Sequence, residues 1–243
     1  MKRQTRRVTA QLAVIGTGIA GCATSIFARD LGLSVVQIGH TGAMSYTTGY
    51  LDLFGVQDGR VQAEPWAALD ALRQAEPAHP LARMSNGDIR TALVRFTACL
   101  GEMGLQYTAP GDENLPALLP YGVTKPTLSI PQTMRPGLEA MRKGAPAVIV
   151  DFEGLQGFSA REFCVNMAEA WPGLRSERLV FPGIDARPVF PEVMARALET
   201  AETQEALAEL IRPLLNGADI VGLPAILGMH APDATHARME QLV

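Results

Sequence analysis

The chain opens with alternating apolar and polar residues that become fully apolar and then give way to glycine. Val8–Ile15 has this form, which predicts a buried parallel strand. Small and apolar residues then recur at helical spacing from Ala20 to Leu31, and Gly32 is a common residue just past a helix end. Ser34–Ile38 is a second short apolar run. The pattern therefore predicts a strand–helix–strand unit with parallel strands.

Beyond this unit, the pattern predicts alternating helices and short strands. The predicted helices are Pro65–Ala75, Asp88–Met103, Pro136–Lys143, Ser159–Trp171, Pro191–Thr200, Gln204–Leu215 and a polar helix at the end of the chain. The predicted strands are Ala147–Phe152, Leu179–Phe181 and Asp219–Leu223. The glycine-rich stretch Gly39–Gly59 is a long connection, of a kind that is often functional, and the proline-rich stretch Gln106–Thr133 is predicted to be extended and irregular.

These elements predict an α/β fold. A Rossmann-like βαβ unit with a parallel sheet comes first, and an α+β substrate or cap region follows it. The predicted domains are 1–60 for the dinucleotide-binding unit, 61–146 for a helical and proline-rich cap, and 147–243 for an α/β continuation.

Composition narrows the class of protein. With 243 residues, 47% of them hydrophobic and 19% charged, the chain is globular rather than disordered. A net charge of −4 without a long basic block argues against nucleic acid as the main partner. Three dispersed cysteines favour reduced thiols over a disulfide framework, and no apolar window reaches the ~20 residues of a membrane span.

The N-terminus leaves a second interpretation open. A basic head precedes the first apolar run, and Ile19–Cys22 is similar to a bacterial lipoprotein cleavage box. Against a signal peptide, Gly16 and Gly18 interrupt the apolar run, and the helical pattern continues past Cys22. The strand–helix interpretation is therefore favoured.

A glycine motif lies where the first strand becomes the first helix. It comprises Gly16, Thr17, Gly18, Ile19, Ala20 and Gly21. In a G-x-G-x-x-G motif, the first glycine makes a tight turn, the second lets the backbone approach a pyrophosphate, and the third permits close helix–strand packing. The free N–H groups of the helix then face the phosphates. Placed inside a βαβ unit, the motif predicts a dinucleotide site.

One expected part of such a site is missing. An acid about 20 residues further on normally binds the adenosine ribose. Here Gly39 and His40 follow the second strand, and the next acid after it is Asp52. Three explanations remain open: other groups hold the ribose, the cofactor lacks that ribose as FMN does, or the site is degenerate.

Two further groups of polar residues are candidates for ligand contacts. The cofactor candidates after the second strand are Gly39, His40, Ser45, Thr47, Thr48 and Gly49, whose hydroxyl, imidazole or backbone groups suit phosphate or flavin oxygens. The candidates for an anionic substrate on the proline-rich segment are Lys125, Thr127, Thr133 and Arg135. His40 has alternatives in proton transfer and as a solvated loop residue. Asp151 and Glu153 are candidates for paired acids, although spacing two apart at a strand end favours solvated acids. The four histidines lack metal-ligand spacing, so no metal site and no catalytic residue are assigned.

The segment after the second strand also carries a family resemblance. Gly42–Gly55, with Thr47-Thr48-Gly49 and Asp52-Leu53-Phe54-Gly55, resembles the corresponding segment of the B subunit of anaerobic glycerol-3-phosphate dehydrogenase. Thr47 and Thr48 stand where that family usually has serines. Further collinear matches are His79-Pro80, Lys125-Pro126-Thr127, Pro131–Met134, Asp151–Leu155, Phe158-Ser159-Ala160 and Leu223–Gly228.

The resemblance implies a flavin-bearing subunit with FAD or FMN. It would pair with a catalytic subunit that oxidises glycerol 3-phosphate and with an iron–sulfur subunit that passes electrons to membrane quinone. The implied location is cytoplasmic, at the inner membrane through that partner and without a span of its own. Members of the family are longer, so we expect the C-terminal half of the family fold to be absent from this chain.

The favoured hypothesis is therefore a quinone-linked, flavin-dependent oxidoreductase that acts within a complex. Two alternatives remain open. One is a non-catalytic scaffold subunit that has lost cofactor binding. The other is a nicotinamide-dependent dehydrogenase.

Overall fold

A computed structural model describes residues 7–40, 47–185 and 188–243. The chain divides into two compact units, Met1–Gly49 and Tyr50–Val243. Two of the three predicted domains, 61–146 and 147–243, lie within the second of these units.

The first unit is a strand–helix–strand motif. Strand β1 (Leu12–Ile15) leads into helix α1 (Ile19–Asp30), and strand β2 (Val35–Ile38) pairs with β1 in parallel, Leu12 opposite Val35 and Ile15 opposite Ile38. The predicted βαβ unit is confirmed. The strand begins at Leu12 rather than Val8, because the ladder with β2 extends only over these four residues.

The prediction that the first strand is buried is only half correct. Val14 is buried, whereas Ile15 is 89% exposed. The first unit consists of a two-stranded ladder and one helix. One face of the ladder packs on α1, and no described element of this unit covers the other face. Alternation along the strand then places successive side chains on the covered and the uncovered face.

The second unit begins with a short hairpin and two helices. Strands β3 (Val56–Gln57) and β4 (Arg60–Val61) are antiparallel, and helix α2 (Pro65–Ala75) has the predicted bounds. Helix α3 (Asn86–Glu102) begins at a capping box between Ser85 and Asp88.

The proline-rich stretch contains a hairpin that the sequence prediction missed. Strands β5 (Leu115–Leu119) and β6 (Val123–Thr127) pair in antiparallel, with Pro116 opposite Pro126. Proline donates no ladder hydrogen bond, so it is tolerated on an edge strand, and both strands of a two-stranded ladder are edges. The prolines therefore hid the strand pattern in the sequence but did not prevent the two strands from forming.

A parallel sheet forms the rest of the second unit. Helix α4 (Arg135–Lys143), strand β7 (Ala147–Phe152), helix α5 (Ala160–Met167) and strand β8 (Leu174–Leu179) follow in order. Helices α6 (Pro191–Ala197) and α7 (Ala201–Ile211), strand β9 (Ile220–Gly222) and helix α8 (Pro232–Leu242) complete it. The strand order is β8–β7–β9, all parallel.

Several predicted bounds in this region are wrong, since α6 ends at Ala197 instead of Thr200 and α7 occupies Ala201–Ile211 instead of Gln204–Leu215. Helix α5 ends at Met167, before Trp171, and β8 occupies Leu174–Leu179 instead of Leu179–Phe181. Arg175, Ser176, Glu177 and Arg178 make β8 polar, and its position comes from pairing with β7 rather than from an apolar run.

The main core lies on both faces of β7, every residue of which is buried. Val148, Val150 and Phe152 join one apolar cluster with α6, α7 and α8, whereas Ala147 and Ile149 join a second cluster with α5. This helix–sheet–helix layering confirms the predicted α/β class. No helix in the described ranges is both long and apolar enough to cross a membrane.

Candidate functional site

The glycine loop joins β1 to α1 and leaves the start of the helix open. Gly16 has a φ of +119°, a backbone conformation that favours glycine. Gly18 is the N-cap of α1 and supplies no side-chain cap, and the first turn contains no acid. In the described part of the chain, nothing outside the neighbouring residues lies within 4 Å of a Cβ built on Gly16 or Gly18. Among the described residues, the uncapped start of α1 therefore has open space beside the glycine loop, as an anion site requires.

Gly21, the third glycine of the motif, serves packing. A Cβ built there would lie 2.3 Å from the Gly16 carbonyl oxygen. That separation is far below a van der Waals contact, so only glycine lets the helix approach the loop this closely. Gly16 thus allows the turn of the chain, Gly18 leaves room for a ligand, and Gly21 permits close packing of the helix.

Gln37 fixes the loop and was not among the residues predicted from the sequence. Its Nε2 donates to the Gly16 carbonyl over 2.8 Å, and its Oε1 accepts from the Ser25 hydroxyl at 3.1 Å. These bonds join β2, the glycine loop and α1. The signal that could have found it was a polar residue inside the apolar run Val35–Ile38.

The end of β2 contains the position where an acid was expected. Gly39 does not have a positive φ, so the backbone there does not require glycine. A Cβ on Gly39 would lie 2.9 Å from Thr17 Cγ2 and 3.1 Å from the Thr17 backbone nitrogen. His40 follows with an exposed side chain. A side chain at residue 39, where the acid was expected, would therefore meet Thr17.

The cofactor candidates after β2 lie partly outside the described residues. Ser45 is one of these undescribed residues. Thr47 Oγ1 accepts from the Gly49 N–H at 3.3 Å, and Gly49 has a φ of +71°. Thr47 and Thr48 are exposed.

The later part of the family-like segment belongs to the second unit. Leu51 pairs with Ser129 in an isolated antiparallel bridge. Asp52 Oδ2 accepts from Lys125 Nζ at 2.8 Å, and that ammonium group lies 5.5 Å from the centre of the Tyr50 ring. A Cβ on Gly55 would lie 2.9 Å from Pro126. This stretch therefore packs against β6.

The four predicted substrate residues occupy different environments. Lys125 is paired with Asp52, and Arg135 Nε lies 2.6 Å from Glu139 Oε1 one helical turn along α4. Thr127 is fully buried, and its hydroxyl has no hydrogen-bond partner in the described ranges. Thr133 lies in a short 3₁₀ turn before α4. Their joint role in binding an anion stays a prediction.

Asp151 differs from the expectation of a solvated acid. It is 2% exposed, its Oδ2 accepts from the Ala160 N–H at 3.0 Å, and its two oxygens accept from Arg178 at 2.7 and 2.9 Å. Bonding to Asp151 raises the pKa of Arg178. The carboxylate thus holds the start of α5 and the end of β8, which is a structural role.

The described residues contain no group of three or more His, Cys, Asp or Glu side chains able to hold a metal ion. Cys22, Cys99 and Cys164 are free thiols. Burial raises the pKa of the Cys164 thiol to about 11, which makes it a poor nucleophile at neutral pH.

The first unit fits the phosphate part of a flavin dinucleotide better than its ribose. Open space at Gly16 and Gly18 together with the uncapped start of α1 suits a pyrophosphate. Within Met1–Gly49, Asp30 is the only acid, and it lies at the far end of α1, about 16 Å from the first turn. No carboxylate of this unit can therefore reach an adenosine ribose beside the glycine loop.

The comparisons with known proteins agree with this geometry. A curated relative from Pectobacterium carotovorum subsp. carotovorum (strain PC1) is 28% identical over 240 residues, covering 95% of this chain and 57% of the relative. Relatives from Yersinia pseudotuberculosis serotype I and Vibrio cholerae serotype O1 are each 28% identical, covering 89% of this chain and 53% and 52% of their own lengths. All three are named as the B subunit of anaerobic glycerol-3-phosphate dehydrogenase, which confirms the resemblance found in the motifs.

The chain spans about half the length of the curated relatives it matches. No solved structure matches it at a significant level. A family model described as the FAD binding domain matches residues 11–242, and it supports the predicted flavin cofactor. Because this match includes the glycine loop and nearly all of both units, the chain belongs to the FAD-binding domain family.

Proposed function

We propose that the chain is the flavin-binding part of an oxidoreductase subunit comparable to the B subunit of anaerobic glycerol-3-phosphate dehydrogenase. The observation that carries the proposal is the open, uncapped start of α1 behind Gly16 and Gly18. When bound, a flavin supplies the redox chemistry, while the protein supplies binding, orientation and electrostatics.

We propose a role for each group of predicted cofactor residues. The backbone N–H groups of Gly18, Ile19 and Ala20 bind the phosphates, because α1 places their partial positive charge at one point. Gly16 and Gly18 keep this approach clear of side chains. The hydroxyls of Ser45, Thr47 and Thr48 contact phosphate or flavin oxygens, and His40 contacts phosphate at the end of β2.

The finer parts of the proposed function follow the family resemblance of the sequence. Glycerol 3-phosphate is the proposed electron source and a membrane quinone the proposed acceptor. A catalytic subunit and an iron–sulfur anchor subunit are the proposed partners, which would hold a cytoplasmic protein at the inner membrane. Lys125, Thr127, Thr133 and Arg135 are proposed to bind the anionic substrate or the flavin.

Flavin binding by a Gly18→Ala variant tests the proposal. Gly18 has a φ of −76° and free space around its Cβ position, so alanine leaves the fold intact. The new methyl group does obstruct phosphate approach, and loss of one charge-assisted hydrogen bond corresponds to about tenfold or more in affinity. We expect Gly18→Ala to weaken FAD binding by about that factor in a flavin fluorescence titration, with unchanged thermal stability.

Gly87→Ala is the matched control. Its Cβ lies 3.6 Å from Ser85 Oγ, an ordinary contact in α3, so both stability and flavin affinity should stay as in the wild type. Equal flavin affinity of Gly18→Ala and the wild type would show that the glycine loop is not the phosphate site.

The same titration separates the alternatives. If the wild type binds neither FAD nor FMN after reconstitution, the flavin proposal is wrong. A partner protein recovered by pull-down without cofactor would then favour the scaffold hypothesis, which the missing acid at the end of β2 supports. Saturable micromolar binding of NAD or NADP would instead favour the nicotinamide-dependent dehydrogenase.

A further inference from the structure

Thr17 and Gly39 are two departures from a standard dinucleotide site that meet in space. A Cβ on Gly39 would come within 2.9 Å of the Thr17 methyl carbon Cγ2 and 3.1 Å of Oγ1. At such distances Thr17 must shift before residue 39 can carry a side chain. The glycine is thus explained by its neighbour and not by the backbone conformation, since its φ is not positive.

Hydrogen bonding by the Thr17 hydroxyl does not account for a threonine at this position. Its Oγ1 is buried and has no hydrogen-bond partner among residues 7–40, 47–185 and 188–243. A buried hydroxyl without a partner costs free energy, so packing against Gly39 is what the side chain contributes. Thr17 therefore borders the position from which an acid at residue 39 would extend.

We propose that Thr17 and Gly39 form a coupled pair that replaces the ribose-binding acid with an uncharged packing contact. The site then binds the adenosine half of its cofactor without recognising the ribose 2′-hydroxyl. This inference rests on the proposed flavin function. Asp30, the only acid of the first unit, is at the opposite end of α1 and cannot take over the role.

The first test measures the coupling without any cofactor. Gly39→Ala in the cofactor-free protein should lower hydrogen-exchange protection of α1 by about tenfold or more, because its methyl group meets Thr17. Thr17→Ala/Gly39→Ala should regain most of the protection of Thr17→Ala, since the contacts with Cγ2 and Oγ1 are removed and only the 3.1 Å approach to the backbone nitrogen of residue 17 remains. Unchanged protection in Gly39→Ala would overturn the coupled pair.

The second test measures recognition of the ribose. FAD and an FAD analogue lacking the 2′-hydroxyl on the adenosine ribose should bind the wild type with affinities equal to within about threefold, given that no charged hydrogen bond is lost. In Thr17→Ala/Gly39→Glu, a carboxylate has room at the end of β2, and FAD should be preferred by about tenfold or more. Gly39→Glu alone should not gain this preference, because Thr17 still fills the space.

The outcomes separate the inference from the proposed function. A wild type that prefers FAD over the analogue by tenfold overturns the inference and leaves flavin binding established. A wild type that binds neither compound overturns both, even where exchange shows the packing between residues 17 and 39. Equal wild-type affinities, together with a gain in the double variant, support the pair as the determinant of ribose recognition.

Discussion

Removing the Asp151 carboxylate should lower the free energy of unfolding of the second unit far more than removing an exposed carboxylate. The Asp151 side chain is 3% exposed, and it accepts hydrogen bonds from the Ala160 N–H and from Arg178. In Asp151→Ala, the buried Ala160 N–H at the start of α5 loses its partner. An unsatisfied buried donor costs about 1–3 kcal/mol, and loss of a buried charge partner adds to this.

The magnitude is limited by Arg178, because its side chain is 60% exposed and can be solvated by water after the change. The expected loss in free energy of unfolding is therefore about 3 kcal/mol, at the lower end for a broken buried pair. In a chain of this size that corresponds to a fall in Tm of about 6–12 °C. Asp151→Asn keeps one acceptor for the Ala160 N–H and should lose about half as much free energy.

Thermal and urea unfolding, followed by circular dichroism and tryptophan fluorescence, measures this loss. The matched control is Asp112→Ala, which removes a carboxylate that is 87% exposed and paired with Arg90 at 2.6 Å. An exposed pair of this kind contributes about 0–1 kcal/mol. If Asp151→Ala lost no more than Asp112→Ala, the buried pair would not stabilise the end of β7, and the reasoning would be refuted.

Two further predictions concern packing and burial. Gly21→Ala places a Cβ 2.3 Å from a backbone oxygen and should destabilise the first unit by about 2 kcal/mol or more, measured as lost hydrogen-exchange protection in α1, whereas Gly87→Ala should not. Burial, helped by the charges of Asp52 and Asp233, raises the pKa values of Tyr50 and Tyr107 to about 12. Phenols of the unfolded chain ionise near pH 10, whereas these two remain neutral in the folded protein. Their contribution to the free energy of unfolding is therefore fully present below about pH 10 and is lost as the pH rises toward 12. Phenolate absorbance of the folded protein should show two late-titrating groups, and Tyr50→Phe should remove one.

The elements predicted correctly are those whose pattern is set by local burial. Strand β7 has its predicted bounds because all six of its residues are apolar or buried at the centre of a sheet. Helix α2 also has its predicted bounds, since Pro65 at the first turn and an apolar face define it locally. Strand β8 was misplaced, because a polar strand is specified by its partner β7 and not by its own residues.

The candidate site divides in the same way. Gly16, Gly18 and Gly21 were predicted because their spacing repeats across dinucleotide folds, and the structure requires glycine at Gly16 for its positive φ and at Gly21 for packing. The bond from Gln37 to the loop and the contact between Thr17 and Gly39 join residues about 20 positions apart. The sequence showed that the acid was absent, but only the three-dimensional contact shows what fills its place.

Helices α1 and α5 each follow a parallel strand, and they differ in how the N–H groups of their first turns are satisfied. At the start of α5, Ser159 accepts from the Glu162 N–H and Asp151 accepts from the Ala160 N–H, so protein groups already satisfy those donors. At the start of α1, the strand-end side chain Gln37 bonds a carbonyl instead, and no described side chain caps the helix. Asp151 on β7 thus occupies an N–H group at the start of α5, whereas Gln37 on β2 bonds only a carbonyl of the loop before α1. Of these two helix starts, that of α1 leaves its N–H groups available for an anion.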